Sequence, residues 1–257
     1  MRKRSFKSDK KGQVIIVTAL LVSVLFLSTA LYVMEVAKEV PTANAGQSNV
    51  FSGYKQSAIS TLISALANAT NGGNSNILGI DLAELKTVIL SNSYQAMLTM
   101  DYSTLNSSDY QNGFLISWGA NGEGSSSTCV SFDFSSSSPS ASSNLDYTLN
   151  VTSTVNFRGT FQQIDETTKQ TNLTVNVLNE DKAALAQNFT ISYKNGPDWT
   201  KINSPTINSF GNGTYTLTFM AGGSPPSEPL VVSLLCQDQR GISIGANLTC
   251  TNSSQSV

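Results

Sequence analysis

Hydrophobic positions fall into three regimes along the chain. From Gln13 to Met34 they are nearly continuous, and no charged side chain interrupts them. Between Phe51 and about Leu98 they recur at steps of three and four residues. From about Asn112 onward they alternate with polar ones. The first regime spans 22 residues, which as a helix rising about 1.5 Å each cover roughly 33 Å, enough for a hydrocarbon core of about 30 Å. It predicts a transmembrane helix over residues 13–40.

The second regime predicts an extracellular helical segment over 46–98. Pro41 and the small polar stretch Thr42 to Ser48 make a joint. After it, Phe51, Tyr54, Ala58, Leu62, Ala65 and Leu66 form one stripe, with Lys55, Gln56, Ser60 and Ser64 opposite. Asn71-Gly72-Gly73-Asn74 ends that helix. Asp81-Leu82-Ala83-Glu84 reads as a capping box opening a second one, Leu82 to Leu98, with Leu85, Val88 and Ile89 facing a core.

In the third regime Phe114–Trp118, Val130–Phe134, Leu145–Phe161, Leu173–Leu178, Phe189–Tyr193, Tyr215–Met220, Leu230–Cys236 and Ile242–Leu248 are rich in β-branched and aromatic residues and read as strands. Ser135 to Ser143 reads as a loop, because a run of serines buries little apolar surface. The predicted fold class is α+β: an N-terminal transmembrane helix and short helical segment, then a β-sandwich ectodomain. It divides into a basic head over 1–12, a β-rich region over 110–165, a sandwich module over 169–250 and a tail over 251–257.

Two stretches resemble known families. Lys10-Lys11-Gly12-Gln13-Val14 resembles the class III leader of archaeal pilins and archaellins, in which a peptidase cuts after the glycine and the freed apolar helix packs into a filament core. The resemblance implies processing between Gly12 and Gln13 and self-assembly through the N-terminal helix. Val17 stands where bacterial type IV pilins carry a glutamate. A static anchor and a signal peptide cut after Ala43-Asn44-Ala45, leaving a secreted domain, are the other readings of the same segment. Further on, Gly211-Asn212-Gly213-Thr214-Tyr215-Thr216-Leu217-Thr218-Phe219 resembles a late strand of the immunoglobulin-like repeats of filamins and bacterial surface adhesins, and Thr174 to Asp181 resembles their first strand. That implies an immunoglobulin-like module.

Charge sharpens the topology. Six of the 15 basic residues lie in the first eleven positions, so the head stays cytoplasmic and the C-terminal domain faces outward, a single-pass arrangement in the cell membrane. The chain carries a formal net charge of -2 with 12% charged residues, which excludes nucleic acid as its main partner. With no histidine, imidazole-dependent catalysis and the usual zinc sites are excluded. No phosphate loop, Cys-x-x-Cys pair or calcium loop is present. The acidic pairs Asp165-Glu166 and Glu180-Asp181 read as solvated turns. Neither a catalytic residue nor a cofactor or metal site is predicted.

Cysteine and asparagine supply the remaining candidates. Cys129, Cys236 and Cys250 are odd in number, so at most one bridge forms, Cys236 with Cys250 if the last strand bends sharply near Gly245, or Cys236 stays a buried thiol. Arg240 reads as an exposed residue of a hairpin turn. Eight asparagines stand in Asn-x-Ser/Thr: Asn68, Asn106, Asn150, Asn172, Asn188, Asn212, Asn247 and Asn252. Chance from 23 Asn and 63 Ser plus Thr in 257 residues predicts roughly five to six, so composition explains most of them, and N-glycosylation is an expectation of topology. The expected function is a membrane-anchored surface protein, structural or adhesive, meeting the lipid bilayer and other surface proteins or glycans. The alternative is a pilin-like filament subunit.

Overall fold

The computed structural model describes residues 43–91, 97–138, 141–223 and 228–253. The chain divides into two compact units, Met1–Gly53 and Tyr54–Val257. Helix α1 runs Ala43–Thr70, through the stretch expected as a joint. It buries Ala58, Leu62, Ala65 and Leu66, the stripe visible in the sequence. It stops at the predicted cluster, where Gly72 takes φ 83° and the Gly73 N–H donates to the Asn68 carbonyl at 3.0 Å. Helix α2, Ile77–Ser91, buries Leu78, Leu82, Leu85 and Ile89. It starts before the expected capping box because Asn74 caps it: the Asn74 Oδ1 accepts the Asn76 N–H at 2.9 Å and its carbonyl accepts the Ile77 N–H at 3.1 Å.

Twelve strands follow: β1 Met97–Thr104, β2 Phe114–Trp118, β3 Glu123–Ser138, β4 Ala141–Gln163, β5 Thr168–Asn179, β6 Lys182–Ala183, β7 Ala186–Asn195, β8 Asp198–Lys201, β9 Thr206–Ser209, β10 Thr214–Gly222, β11 Leu230–Asp238 and β12 Ser243–Asn252. The larger sheet orders β3-β4-β5-β10-β9, with β1 and β2 both along the free edge of β3 and β6 on the end of β5. The smaller sheet orders β8-β7-β11-β12. All pairings are antiparallel except a two-residue join, Thr251 beside Thr160 and Asn252 beside Phe161, that links β12 to β4.

One face of the larger sheet is buried under two covers. Alternation puts Gly124, Ser126, Thr128, Val130, Phe132 and Phe134 of β3 beside Val155, Ser153, Val151, Leu149, Tyr147 and Leu145 of β4. At one end the smaller sheet lies over them, with the Ser126 Oγ donating to the Ser243 carbonyl at 2.8 Å. At the other end α1 covers them, and the Tyr54 ring stacks on Phe134 at 5.9 Å. Strands β5 and β10 add Leu173, Val175, Val177, Tyr215, Leu217 and Phe219 to the same core. Strand β4 pairs with β5 from Ser153 to Gln163, so the regions 110–165 and 169–250 share one continuous sheet.

Three expectations are corrected. The fold is mostly β, where an α+β class with an N-terminal transmembrane helix was expected: among the described residues twelve strands stand against two helices. Among the described residues no helix is long and apolar enough to cross a membrane, which stands against the single-pass localisation. Helix α2 has 15 residues, about 22 Å of rise, and carries Asp81, Glu84 and Lys86. The serine run expected as a loop continues as strand, with Ser135 to Ser138 of β3 paired to Asn144 to Ala141 of β4. The segment 13–40 and the Gly12–Gln13 cleavage point lie outside the described residues.

Candidate functional site

The opposite face of the larger sheet is largely open to solvent and mostly polar, with Met220 an exposed apolar side chain on it and Ser127 buried. Rows run across the strands: Thr206, Thr218, Asn172 and Thr160, then Asn208, Thr216, Thr174 and Arg158. Short side chains on this face bond to each other across strands. Thr218 Oγ1 donates to Asn172 Oδ1 at 2.8 Å, Thr214 Oγ1 to Asn176 Oδ1 at 2.9 Å, and Asn156 Nδ2 to Glu123 Oε1 at 3.0 Å. Farther along, Ser127 pairs with Thr152 at 2.7 Å and Ser131 with Thr148 at 2.8 Å. Such a face offers many hydroxyl and amide groups at fixed spacing with few charges.

At the β1 side the face turns acidic. Asp101, Asp133 and Asp146 stand side by side across three strands, in an open hollow of about 640 Å³ with Ser103, Ser131 and Thr148. Lys86 of α2 reaches Asp101 at 2.7 Å. Loss of solvation, then the charges of Asp146 and Asp101 and a hydrogen bond with Asp146, raise the Asp133 pKa above its ordinary 3.8. Among the described residues no group of three carboxylates or thiols is arranged to hold a metal ion.

Because the folded state binds this proton more tightly than the unfolded chain, the row is easiest to bear below the unfolded value. Stability is lost as pH rises from 3.8 through the raised folded value. Asp133→Asn is expected to raise the thermal midpoint at pH 7 and to lose that advantage progressively toward pH 3. Equal midpoints for both proteins at pH 7 would show that the row carries no strain.

The other sequence candidates scatter over the unit. Cys250 lies opposite Leu230 and Cys236 opposite Ile244, so six residues of strand, about 20 Å, separate the thiols that were expected to bridge if the strand bent. All three cysteines are free. Burial pushes the thiols of Cys236 and Cys250 up to about 12, with the Asp238 charge adding to the first, and burial also raises that of Cys129. None is a thiolate at neutral pH. Six of the eight sequon asparagines are exposed, and Asn247 and Asn252 are half-buried. Asp165 accepts the Thr167 and Thr168 N–H groups at 2.8 Å. The Thr167 bond leads in holding its pKa below the ordinary value, so this carboxylate fastens a turn.

Arg240, which the hairpin turn in the sequence predicts to be exposed, is instead mostly buried and paired. Its side chain is 19% exposed and pairs with Glu180 at 2.8 Å and with the wholly buried Asp238 at 2.8 Å. Burial disfavours the guanidinium charge, but hydrogen bonds to Glu180 and Asp238 outweigh it and hold the pKa above its ordinary value. Lys169, also buried, donates to the Glu228 carbonyl at 2.6 Å and lies 4.8 Å over the Phe161 ring. Desolvation lowers its pKa. Both residues tie strands and connections together. No family model, curated protein or solved structure matches the chain.

Proposed function

We propose that this chain is a structural or adhesive cell-surface protein without catalytic activity, whose β unit presents the polar face of its larger sheet to surface glycans. The observation that carries this reading is the run of cross-strand hydroxyl and amide rows from Thr206 to Thr160 and from Asn208 to Arg158. Ordered polar side chains pre-organised by mutual hydrogen bonds lose little entropy on meeting a hydroxylated polymer. An immunoglobulin-like module, implied by the Gly211–Phe219 resemblance, fits the same reading.

A second reading, a filament subunit cut after Gly12, is favoured by the helical start of the unit. Tyr54 to Leu66 pack against the sheet, so the chain reaches the β unit as a helix, as the leader resemblance implies. The two are tested together on full-length protein from its own cells. Binding to extracted surface polysaccharide is expected, and the pair Thr174→Glu and Thr216→Glu, in the middle of one row, is expected to weaken it at least about tenfold with an unchanged far-UV spectrum. Unchanged binding in that variant sinks the glycan reading. A mature N-terminus at Gln13, found by mass spectrometry in fibre preparations, favours the filament instead.

A further inference from the structure

The turn between β9 and β10 combines an exposed aromatic ring with an exposed asparagine whose amide oxygen, but not its amide nitrogen, is used in the turn. Phe210 is 61% exposed, the most exposed of the large hydrophobic side chains described. Two residues on, Asn212 is exposed at the tip. The turn is firm: the Phe210 N–H donates to the Thr214 carbonyl at 3.0 Å, the Thr214 N–H donates to Asn212 Oδ1 at 3.2 Å, and Val177 N–H donates to the Gly213 carbonyl at 2.9 Å. Gly211 and Gly213 take φ 73° and 79°, which lets the chain reverse here. With Oδ1 occupied, the Asn212 Nδ2 of this exposed residue has no hydrogen-bond partner among the described residues.

The other sequons are placed differently. Asn150 Oδ1 accepts from Ser127 and Thr152, and Asn172 Oδ1 from Thr218, each in mid-strand on the open face. Asn188 Nδ2 donates to Gln237 at 2.7 Å. Thr70, the hydroxyl residue after Asn68, is buried and bonded to the Leu66 carbonyl, whereas Thr214 is half-buried and its hydroxyl meets Asn176 Oδ1 at 2.9 Å on the open face. Asn247 and Asn252 are half-buried. Asn106 lies in an exposed loop, with Thr104 in the place that Phe210 holds before Asn212.

We propose that Asn212 carries an N-linked saccharide whose first sugar lies on the Phe210 ring. In the step, the Asn212 amide nitrogen bonds to C1 of a lipid phosphate-linked saccharide, the C1–oxygen bond to the lipid phosphate breaks, and the amide proton passes to a base of the transferase. The sugar's C–H face then covers an aromatic surface that water otherwise meets, the contact geometry that makes exposed aromatic rings binding anchors. The proposal rests on the surface reading above, since the saccharide donor is met by exported chains.

Intact-glycopeptide mass spectrometry of the full-length protein purified from its own cells tests it. A peptide spanning Phe210 to Thr214 that carries saccharide on Asn212 is the expected result, with occupancy lost in Thr214→Ala, kept in Thr214→Ser, and reduced by about half in Phe210→Ala. A peptide found only unmodified overturns the proposal, and occupancy unchanged in Phe210→Ala overturns the role of the ring. Labelling of intact cells with an impermeant lysine reagent separates the two failures: an unmodified Asn212 on a labelled protein leaves the surface reading standing. Intact glycopeptides are read directly because an Asn-Gly pair also deamidates spontaneously, and a mass gain of about 1 Da proves nothing here.

Discussion

Replacing Arg240 with alanine is expected to lower the thermal midpoint by on the order of 10 °C, from a loss of about 3–5 kcal/mol for breaking a buried ion pair. The size follows from what is left behind. Asp238 is wholly buried and accepts from Arg240 Nε at 2.8 Å, from the backbone N–H groups of Arg240 at 2.8 Å and Ile242 at 3.0 Å, and from Ser153 Oγ at 2.7 Å. Without the guanidinium its carboxylate stays in a water-poor site with no counter-charge. Arg240 also bonds Glu180 beyond the end of β5 and the Thr152 carbonyl and Ser153 Oγ of β4. The residue therefore pins the β11–β12 turn of the smaller sheet onto the larger one. Thermal melts of Arg240→Ala, Asp238→Leu and the double variant form the check. The double is expected to recover much of the loss, since removing both charges leaves nothing unpaired. A single-variant loss below about 1 kcal/mol, the range of exposed pairs, would mean the network is solvated.

This pin shows where the sequence was mute. Asp238-Gln239-Arg240-Gly241 reads correctly as a hairpin turn, and Gly241 donates to the Asp238 carbonyl at 3.0 Å. Nothing local says that β4 and β5 lie across from the turn, so an arginine at a turn reads as solvated. The same limit explains the serine run. Ser135 to Ser138 have poor intrinsic strand preference, yet β1 and β4 on either side supply the ladder. Residues Met97 and Leu98 read as the tail of a helix because their apolar side chains suit either period, and pairing with Ser137 and Ser136 decides for the strand. By contrast, alternation in Leu173, Val175 and Val177, in Tyr215, Leu217 and Phe219, and in Val232, Leu234 and Cys236 was sufficient, and each set is buried. The Tyr54 to Leu66 stripe was equally plain. A periodic apolar face announces itself; a polar face reveals its order only once the strands are side by side. That is why the rows on the open sheet, the core of the functional proposal, were invisible in one dimension.

Gly124→Ala is the second substitution expected to be severe, costing roughly 3 kcal/mol, the upper end for overpacking a core, or about 6–12 °C in midpoint. The two sheets meet without side chains at this place. A Cβ on Gly124 would collide with the Gly245 carbonyl oxygen and stand 3.2 Å from Val155 Cγ1. A flexible side chain could yield; the Gly245 backbone sits inside β12, held to β11 by its pairing with Leu235. Gly245 was read from the sequence as a place for a sharp bend that would bring Cys250 toward Cys236. It serves instead to let β12 lie flat against β3, in regular register to Cys250. Relief therefore requires the sheets to part, which also stretches the Ser126–Ser243 bond at 2.8 Å and the Ser153–Asp238 bond at 2.7 Å. Gly53 gives the control, because nothing lies within 4 Å of a Cβ there and it sits in a helix, where alanine is favoured. Gly53→Ala is expected to leave the midpoint unchanged or raise it. Denaturant midpoints of the two alanine variants settle the point, and a Gly124→Ala protein as stable as the parent would mean that the sheets are not in backbone contact at that position.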